Sequence, residues 1–183
     1  KCVQSIHVVE AQNECREVLY LCSKNASQDI PITAVSIDSN GTPLKTLTFT
    51  RAEEADADAS LSQPLKYLYE PSAAFMKAGC FKTITARYGV KKLHPHTHLY
   101  TSETLLPDFC GRAFAIERTL TADKKALKAA LPDMKANLAL RNFPDTVEIV
   151  KKRLVLKDGG DVYLFACTLA DESRALVMGR RVA

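Results

Sequence analysis

Strand and helix patterns alternate from residue 112 to the end of the chain, and this order restricts the fold more than any other feature of the sequence. Two segments, residues 121–131 and 144–154, place apolar side chains at helical spacing. Four segments have the β-branched and aromatic composition of strands: residues 112–120, 136–142, 161–169 and 175–183. Strand, helix, strand, helix, strand and strand in this order predict an α+β fold whose sheet carries its helices on one face.

The preceding part of the chain predicts β-hairpins. A strand pattern at residues 6–9 is followed by the polar residues 10–17 and by a second strand pattern at residues 18–22. Further on, the dipeptide Asn40-Gly41 lies between two alternating apolar segments. Because Asn and Gly tolerate positive φ angles, this dipeptide predicts a tight hairpin turn.

Two segments join the hairpins to the α+β region. Residues 51–64 are acidic and contain no strongly apolar residue before Leu61, so they predict an exposed connection between structural units. Residues 71–88 repeat apolar side chains at helical spacing. Pro71 suits the first turn of this helix, and Gly89 suits the left-handed position after its last turn.

Composition indicates an ordinary globular protein. The chain has 183 residues, of which 46% are hydrophobic and 25% are charged, and this balance excludes a disordered or fibrous protein. The formal net charge is only +4, but residues 1–60 contain 5 Lys and Arg against 9 Asp and Glu, whereas residues 61–183 contain 20 against 12. The second part is therefore predicted to be a basic body.

The six cysteines indicate the cellular compartment. An even number would allow a disulfide framework, but several cysteines lie in apolar runs and no CxxC pair is present. We therefore expect buried free thiols in a reducing, cytoplasmic protein. No apolar run approaches the roughly 18 residues of a membrane-spanning helix. The start at Lys1, without a leader, indicates a processed chain or a piece of a longer one.

Cofactor and nucleophile motifs are absent from the sequence. No glycine-rich loop follows a strand, and neither a GxSxG elbow nor an HExxH helix is present. We predict that this chain holds no cofactor and no catalytic residue of its own.

Three histidines alternate within residues 93–103. On an extended backbone, His94, His96 and His98 would project to one face, where three imidazoles could ligate zinc in a metal-dependent hydrolase. Pro95 interrupts a regular strand, and no carboxylate is obviously placed to orient the ligands. The alternative, a loop whose histidines cap backbone groups or line a groove, is favoured, and we predict no metal.

Basic side chains on the two predicted helices are candidates for RNA contacts. If both helices lie on one face of the sheet, their cations line one surface that can contact a phosphate backbone. The alternative is two solvated helix faces. The candidates are Lys124, Lys125 and Lys128 on the first helix, and Lys151, Lys152 and Arg153 on the second.

The segment RNFP at residues 141–144 adds two candidates. Arg141 and Asn142 end a strand and precede a helix N-terminus, where backbone N–H groups favour an anion. Phe143 is placed to stack on a base or to pack. The alternative is a strand-to-helix turn capped by Asn142.

Five segments can be compared with known families, in chain order: IHVVEAQNECREVLYL (6–21), YLYEPSAAFMKAGCF (67–81), LHPHTHLYTSE (93–103), ANLALRNFP (136–144) and LKDGGDVYLFACTLAD (156–171). Together they resemble the C-terminal half of a family of class I S-adenosylmethionine-dependent methyltransferases common in Bacteroidetes. The resemblance implies three regions: a β-rich segment at residues 1–66 that follows a Rossmann-type catalytic domain, a region of ferredoxin-like fold at 67–111, and a THUMP-like domain at 112–183.

The resemblance also implies a function. True THUMP domains bind RNA and deliver tRNA to fused modifying enzymes, and the family's catalytic and cofactor-binding residues lie upstream of Lys1. This chain is then a non-catalytic part that binds tRNA or rRNA through the basic candidates, for its own methyltransferase domain, which binds S-adenosylmethionine. The alternative is a structural or protein-interaction module that docks on that domain or forms an oligomer. That alternative predicts exposed apolar surface in residues 1–66.

Overall fold

The computed structural model describes residues 2–25 and 29–182. The chain divides into two compact units, each made of three segments. The first unit comprises Lys1–Ala59, Pro71–Gly89 and Asp108–Gly111, and the second comprises Ser60–Glu70, Val90–Pro107 and Arg112–Ala183. The three-domain division inferred from the sequence, with boundaries after residues 66 and 111, stays a prediction.

The first unit contains a four-stranded sheet. Its strands are β1 (Val3–Ala11), β2 (Glu14–Cys22), β3 (Ile32–Ile37) and β4 (Pro43–Phe49). They lie in the order β2-β1-β3-β4, in which β1 and β3 are parallel and the outer pairs are antiparallel. Both predicted hairpins are therefore confirmed.

The two hairpin turns differ in how they are stabilised. Between β1 and β2 the chain turns at Gln12 and Asn13, whose φ angles are +55° and +62°, so the connection is much shorter than the predicted residues 10–17. In the second turn Gly41 has a φ of +83°. There the Asp38 carboxylate accepts the backbone N–H groups of Asn40 and Thr42, both at 2.8 Å.

Three short helices complete the first unit, namely α1 (Arg51–Asp56), α2 (Ala73–Ala78) and α3 (Phe81–Tyr88). The predicted exposed connection at residues 51–64 begins with α1, which has no buried residue, so its exposure is confirmed there; its role as a connection between units stays a prediction. Thr50 and Glu53 form a capping box at the start of α1. Glu54 then accepts the backbone N–H groups of Lys82 and Thr83, both at 2.8 Å, at the N-terminus of α3.

The helix predicted over residues 71–88 is divided in two. Gly79, with a φ of +82°, ends α2, and Cys80 precedes α3. Pro71 is the last residue of a strand and not the first residue of a helix. Gly89, with a φ of +65°, ends α3 as predicted.

The second unit contains a seven-stranded sheet and two helices, α4 (Lys124–Ala130) and α5 (Val147–Leu154). The strands are β5 (Tyr67–Pro71), β6 (Lys91–Lys92), β7 (Tyr100–Ser102), β8 (Gly111–Thr121), β9 (Asn137–Arg141), β10 (Val162–Thr168) and β11 (Arg174–Arg181). Their order is β6-β7-β5-β8-β11-β10-β9, with β9 and β10 parallel. The strand and helix order predicted from residue 112 onward is confirmed, except that the predicted last strand extends to Ala183, which lies outside the described residues.

The two faces of this sheet bury different cores. Leu164 on β10 belongs to the cluster that includes Leu127 of α4 and Leu154 of α5. The next residue, Phe165, belongs to a second cluster around Phe114. Because neighbouring strand residues face opposite sides, α4 and α5 cover one face, as predicted.

The two helices of this unit have side-chain caps. Asp123 caps α4 by accepting the N–H of Ala126 at 2.8 Å, so that helix begins after Asp123 and not at residue 121. Thr146 caps α5, so neither Pro144 nor Asn142 starts that helix.

The cysteines are all free, and they divide into two groups. Cys80, Cys110 and Cys167 are buried, as predicted. Cys2, Cys15 and Cys22 are exposed, so the expectation of burial is wrong for these three. Among the described residues, no helix is long and apolar enough to cross a membrane.

Candidate nucleic-acid interface

The lysines of α4 are exposed, and Lys125 lies close enough to Asp123 to add to the hydrogen bonds that lower the pKa of that carboxyl. Leu127 faces the core, so the helix presents Lys124, Lys125 and Lys128 outward. Among the residues that the structure describes, none of these three lysines forms an ion pair. The predicted orientation of this helix is confirmed.

The cations of α5 are mostly neutralised within the protein. Lys151 lies 2.6 Å from a carboxylate oxygen of Asp158, and Arg153 lies 2.6 Å from one of Asp145. Lys152 is exposed and, over residues 2–25 and 29–182, has no carboxylate partner. Since α4 and α5 contact each other on one face of the sheet, the structure brings the two groups of candidates to the same side. We name Lys124, Lys125, Lys128 and Lys152 the free lysines.

Arg141 is held by an internal ion pair. It is the last residue of β9, and its guanidinium group donates to Glu70 and, at 2.7 Å, to the carbonyl oxygen of Leu140. Arg112 donates to the other oxygen of Glu70, with Nε at 3.1 Å. Glu70 is only 3% exposed, and no sequence pattern pointed to it. A role for Arg141 in RNA binding stays a prediction.

Asn142 belongs to a hydrogen-bonded network centred on His94. The backbone N–H of His96 donates to Nδ1 of His94 at 3.0 Å, and the amide nitrogen of Asn142 lies 3.1 Å from the same atom. Nε2 of His94 lies 3.0 Å from Glu172 Oε1. Because Nδ1 accepts a backbone N–H, the proton of the neutral ring lies on Nε2, which donates to Glu172.

Two threonines hold the surrounding backbone in place. Thr97 donates its hydroxyl proton to the carbonyl oxygen of Thr168 at 2.7 Å. Thr168 in turn donates to the carbonyl oxygen of Asn142 at 2.5 Å. These bonds connect the histidine loop to the ends of β9 and β10.

A cleft of about 400 Å³ lies beside this network. Because β9 and β10 are parallel, the residues that follow them meet at one edge of the sheet. The cleft is lined by Asn142, Phe143, Pro144, Thr168, Glu172 and Arg174. Of the predicted RNA contacts, only Asn142 lines it. Sequence reasoning missed Thr168, Glu172 and Arg174.

The three histidines do not act as one ligand set in the described structure. His94 is buried and uses both ring nitrogens in hydrogen bonds, whereas His96 is exposed. Among the described residues, no three His, Cys, Asp or Glu side chains are grouped so that they could hold a metal ion. The geometry agrees with the alternative in which a histidine supports a groove.

The first unit exposes apolar side chains along an edge strand. β2 is at the edge of the four-stranded sheet, and all nine of its residues are exposed. Leu19 and Leu21 are 48% and 54% exposed, and Leu44 on the opposite edge is 60% exposed. This is the apolar surface that the interaction-module alternative predicts for residues 1–66.

Two domain families match successive parts of the chain. Residues 67–109 match the model of a ferredoxin-like domain, and residues 111–180 match that of a THUMP domain-like family. The predicted fold class is confirmed: the chain is an α+β protein with ferredoxin-like and THUMP-like domains. All of the basic candidates and the lining of the cleft lie within residues 111–180.

A solved structure extends the likeness to almost the whole chain. The crystal structure of a "putative methyltransferase" from Porphyromonas gingivalis W83 is similar over 99% of this chain, with 34% sequence identity and a TM-score of 0.90. The chain spans 46% of that protein's length. No curated protein matches the chain.

Proposed function

We propose that this chain is the non-catalytic, RNA-binding part of an S-adenosylmethionine-dependent methyltransferase, and that it holds tRNA or rRNA for a catalytic domain outside the chain. The observation that carries the proposal is the set of free lysines within a THUMP-like domain. The similarity to part of a protein described as a methyltransferase supports the link to that enzyme class. S-adenosylmethionine would bind to the catalytic domain, and the complex would act in the cytoplasm.

The free lysines differ from Lys151 and Arg153, the paired cations of α5, in the free energy that binding a phosphate costs. A lysine without a carboxylate partner can neutralise a phosphate directly and release counterions from the RNA. Lys151 and Arg153 would first have to leave Asp158 and Asp145. We therefore expect the free lysines to supply most of the salt-dependent affinity.

The test is a salt titration of tRNA binding, measured by filter binding or fluorescence anisotropy. Replacing Lys124, Lys125 and Lys128 by alanine should reduce the slope of log affinity against log salt by about 2–3, since each phosphate contact contributes roughly 0.7–0.9. Lys77→Ala is the control, because it removes an exposed lysine from α2 in the first unit. Affinity that is flat between low and moderate salt, or an equal effect of the control, would contradict the proposal.

A second function, docking onto the catalytic domain, is favoured by the exposed leucines of the edge strand β2. The face that carries Leu19 is mixed, because the strand register also places His7 and Thr33 beside it. Exposed apolar side chains with polar neighbours are typical of a protein-interaction site. Here the partner would be the methyltransferase domain of the same protein.

Docking can be separated from RNA binding by a pull-down with the separately expressed catalytic domain. Leu19→Glu and Leu21→Glu should release that domain and leave the salt-dependent tRNA binding unchanged. Leu105→Glu, at an exposed leucine of the second unit, is the charge-matched control. Retention of the domain by both leucine variants would exclude this face as the docking surface.

A further inference from the structure

The cleft beside β9 and β10 presents two hydrogen-bond acceptors that both contact the buried His94, although the Glu172 side chain is 78% exposed. Nδ1 of His94 is an acceptor, so the end of the Asn142 amide that faces it must be the NH₂ group. This leaves the amide oxygen of Asn142 unused. The N–H of His94 engages Oε1 of Glu172 and leaves Oε2 unused. In the described part of the chain, neither of these two oxygens accepts a hydrogen bond.

The backbone at both acceptors has a positive φ angle, +51° at Asn142 and +62° at Glu172. Asn adopts this left-handed region more readily than most residues, and the Thr168 hydroxyl donates to its carbonyl oxygen. Glu172 lies in the turn between β10 and β11, where its backbone N–H donates to the carbonyl oxygen of Leu169 at 2.9 Å. The two turns place both side chains at the cleft.

The rest of the lining complements the acceptors. Arg174 is exposed and contributes guanidinium donors, and in the described residues it has no carboxylate partner. Phe143 is half-buried, packs against the core under α5, and contributes aromatic surface. The volume, about 400 Å³, lies at the small end of the range for small-molecule sites.

We infer that this cleft binds a single unstacked guanine of the RNA. Guanine places two adjacent donors, N1–H and the exocyclic amine, on its Watson–Crick edge, where Glu172 and Asn142 can accept them. Its O6 and N7 are acceptors that suit an arginine. Its ring can stack on Phe143, as bases do in single-stranded RNA recognition. Adenine and cytosine offer one exocyclic amine, and uracil one N–H, so these bases match fewer groups.

This inference rests on the proposed RNA-binding function but depends on different residues. The free lysines recognise phosphate and give salt-dependent affinity for any sequence, whereas the cleft gives preference for one base. His94 is a positioning residue, since it reaches the base only through Asn142 and Glu172.

The experiment compares the four free nucleoside monophosphates by calorimetry or by protein-detected NMR titration. GMP should bind about tenfold more tightly than AMP, CMP or UMP, which is the discrimination expected from one well-aligned pair of hydrogen bonds. Glu172→Gln should abolish the preference for GMP. Asn142→Gly should weaken it without straining the backbone, because glycine accepts the positive φ. Glu103→Gln, at an exposed position outside the cleft, is the matched control and should keep the preference.

The outcomes separate this inference from the proposed function. Preference for GMP that is lost in Glu172→Gln supports the guanine site, whatever the tRNA titration gives. Equal affinity for the four nucleotides overturns the guanine site, even if tRNA binding is salt-dependent. A preference that survives both Glu172→Gln and Asn142→Gly also overturns it. His94→Gln should reduce the preference while the salt slope for tRNA stays unchanged, and an unchanged preference would contradict its positioning role.

Discussion

Glu70→Gln is the substitution that tests most directly how the second unit is held together. The carboxylate of Glu70 lies between two guanidinium groups, those of Arg112 and Arg141. Glutamine keeps the size of the side chain but removes the charge. Two arginines would then face a neutral amide that can accept from them only through one oxygen.

The expected loss of stability follows from the burial of the three groups. Breaking a buried ion pair from one side costs about 3–5 kcal/mol. The carboxylate side chain is 4% exposed, but those of Arg112 and Arg141 are 31% and 36% exposed, so water can partly solvate the arginines that remain. We therefore expect a smaller loss, about 2–3 kcal/mol in the free energy of unfolding.

Glu117→Gln provides a matched control. Glu117 accepts from Arg180 at 2.7 Å, but both side chains of this pair are more than a third exposed. An exposed pair contributes about 0–1 kcal/mol. The two variants make the same chemical change, so the difference between them reports the effect of burial.

Urea unfolding monitored by circular dichroism measures both variants. For Glu70→Gln the midpoint should fall by about 1 M, if the slope is near 2–3 kcal/mol per molar, whereas the control should shift little. Equal midpoints for the two variants would refute the view that the buried ion pairs stabilise this sheet. The Glu70→Gln variant also tests the predicted role of Arg141. If the guanidinium group of Arg141 contacts phosphate once it no longer pairs with Glu70, the slope of log tRNA affinity against log salt should rise by about 0.7–0.9.

Three further predictions concern packing, thiol reactivity and pH. Gly179→Ala should destabilise the protein by about 1–3 kcal/mol in urea unfolding, because the added Cβ would lie 2.4 Å from the carbonyl oxygen of Ala115. Hydrogen bonds from the backbone N–H groups of Thr42 and Asn40 lower the pKa of Asp38 below 3.8. The stabilisation from these bonds is complete above pH 3.8 and is lost as the pH falls through the lower pKa of the folded state. The difference in free energy of unfolding between wild type and Asp38→Ala should therefore shrink in acid. Burial raises the pKa values of Cys110 and Cys167 to about 12, so a thiol reagent should modify three cysteines quickly and the rest only after unfolding. The fast group is the exposed Cys2, Cys15 and Cys22, of which Cys22 should react most slowly, because its hydrogen bond with Cys2 raises its pKa.

The elements that could be predicted are those whose stability depends on local pattern. The turn at Gly41 follows from its tolerance of a positive φ, and α4 follows from apolar spacing that buries Leu127. α1 was missed because it has no buried residue. Its main contact is between Glu54 and the start of α3, which is 28–29 residues away. The one local signal was the capping box of Thr50 and Glu53, which the acidic composition of the segment obscured.

The residues of the candidate site likewise include some that the local sequence predicts and others that it does not. Asn142 could be found because it follows a strand and precedes a helix, and the free lysines because they alternate with the buried face of a helix. Glu172 is 78 residues from its partner His94, and Glu70 is 71 residues from Arg141. The topology of the sheet brings these residues together, and no short-range pattern encodes that.

The pairing of charges also separates residues that look alike in the sequence. Lys151, Lys152 and Arg153 are consecutive cations on α5, yet two of them are bound to carboxylates and Lys152 has no such partner among the described residues. Arg141 and Asn142 are neighbours, yet the first is held at Glu70 and the second lines the cleft. The number of basic residues in a sequence therefore gives only the total positive charge and not the charge that is free to bind a ligand. Under the proposed function, the free lysines would contact phosphate, and Asn142 and Glu172, which both contact His94, would contact a base.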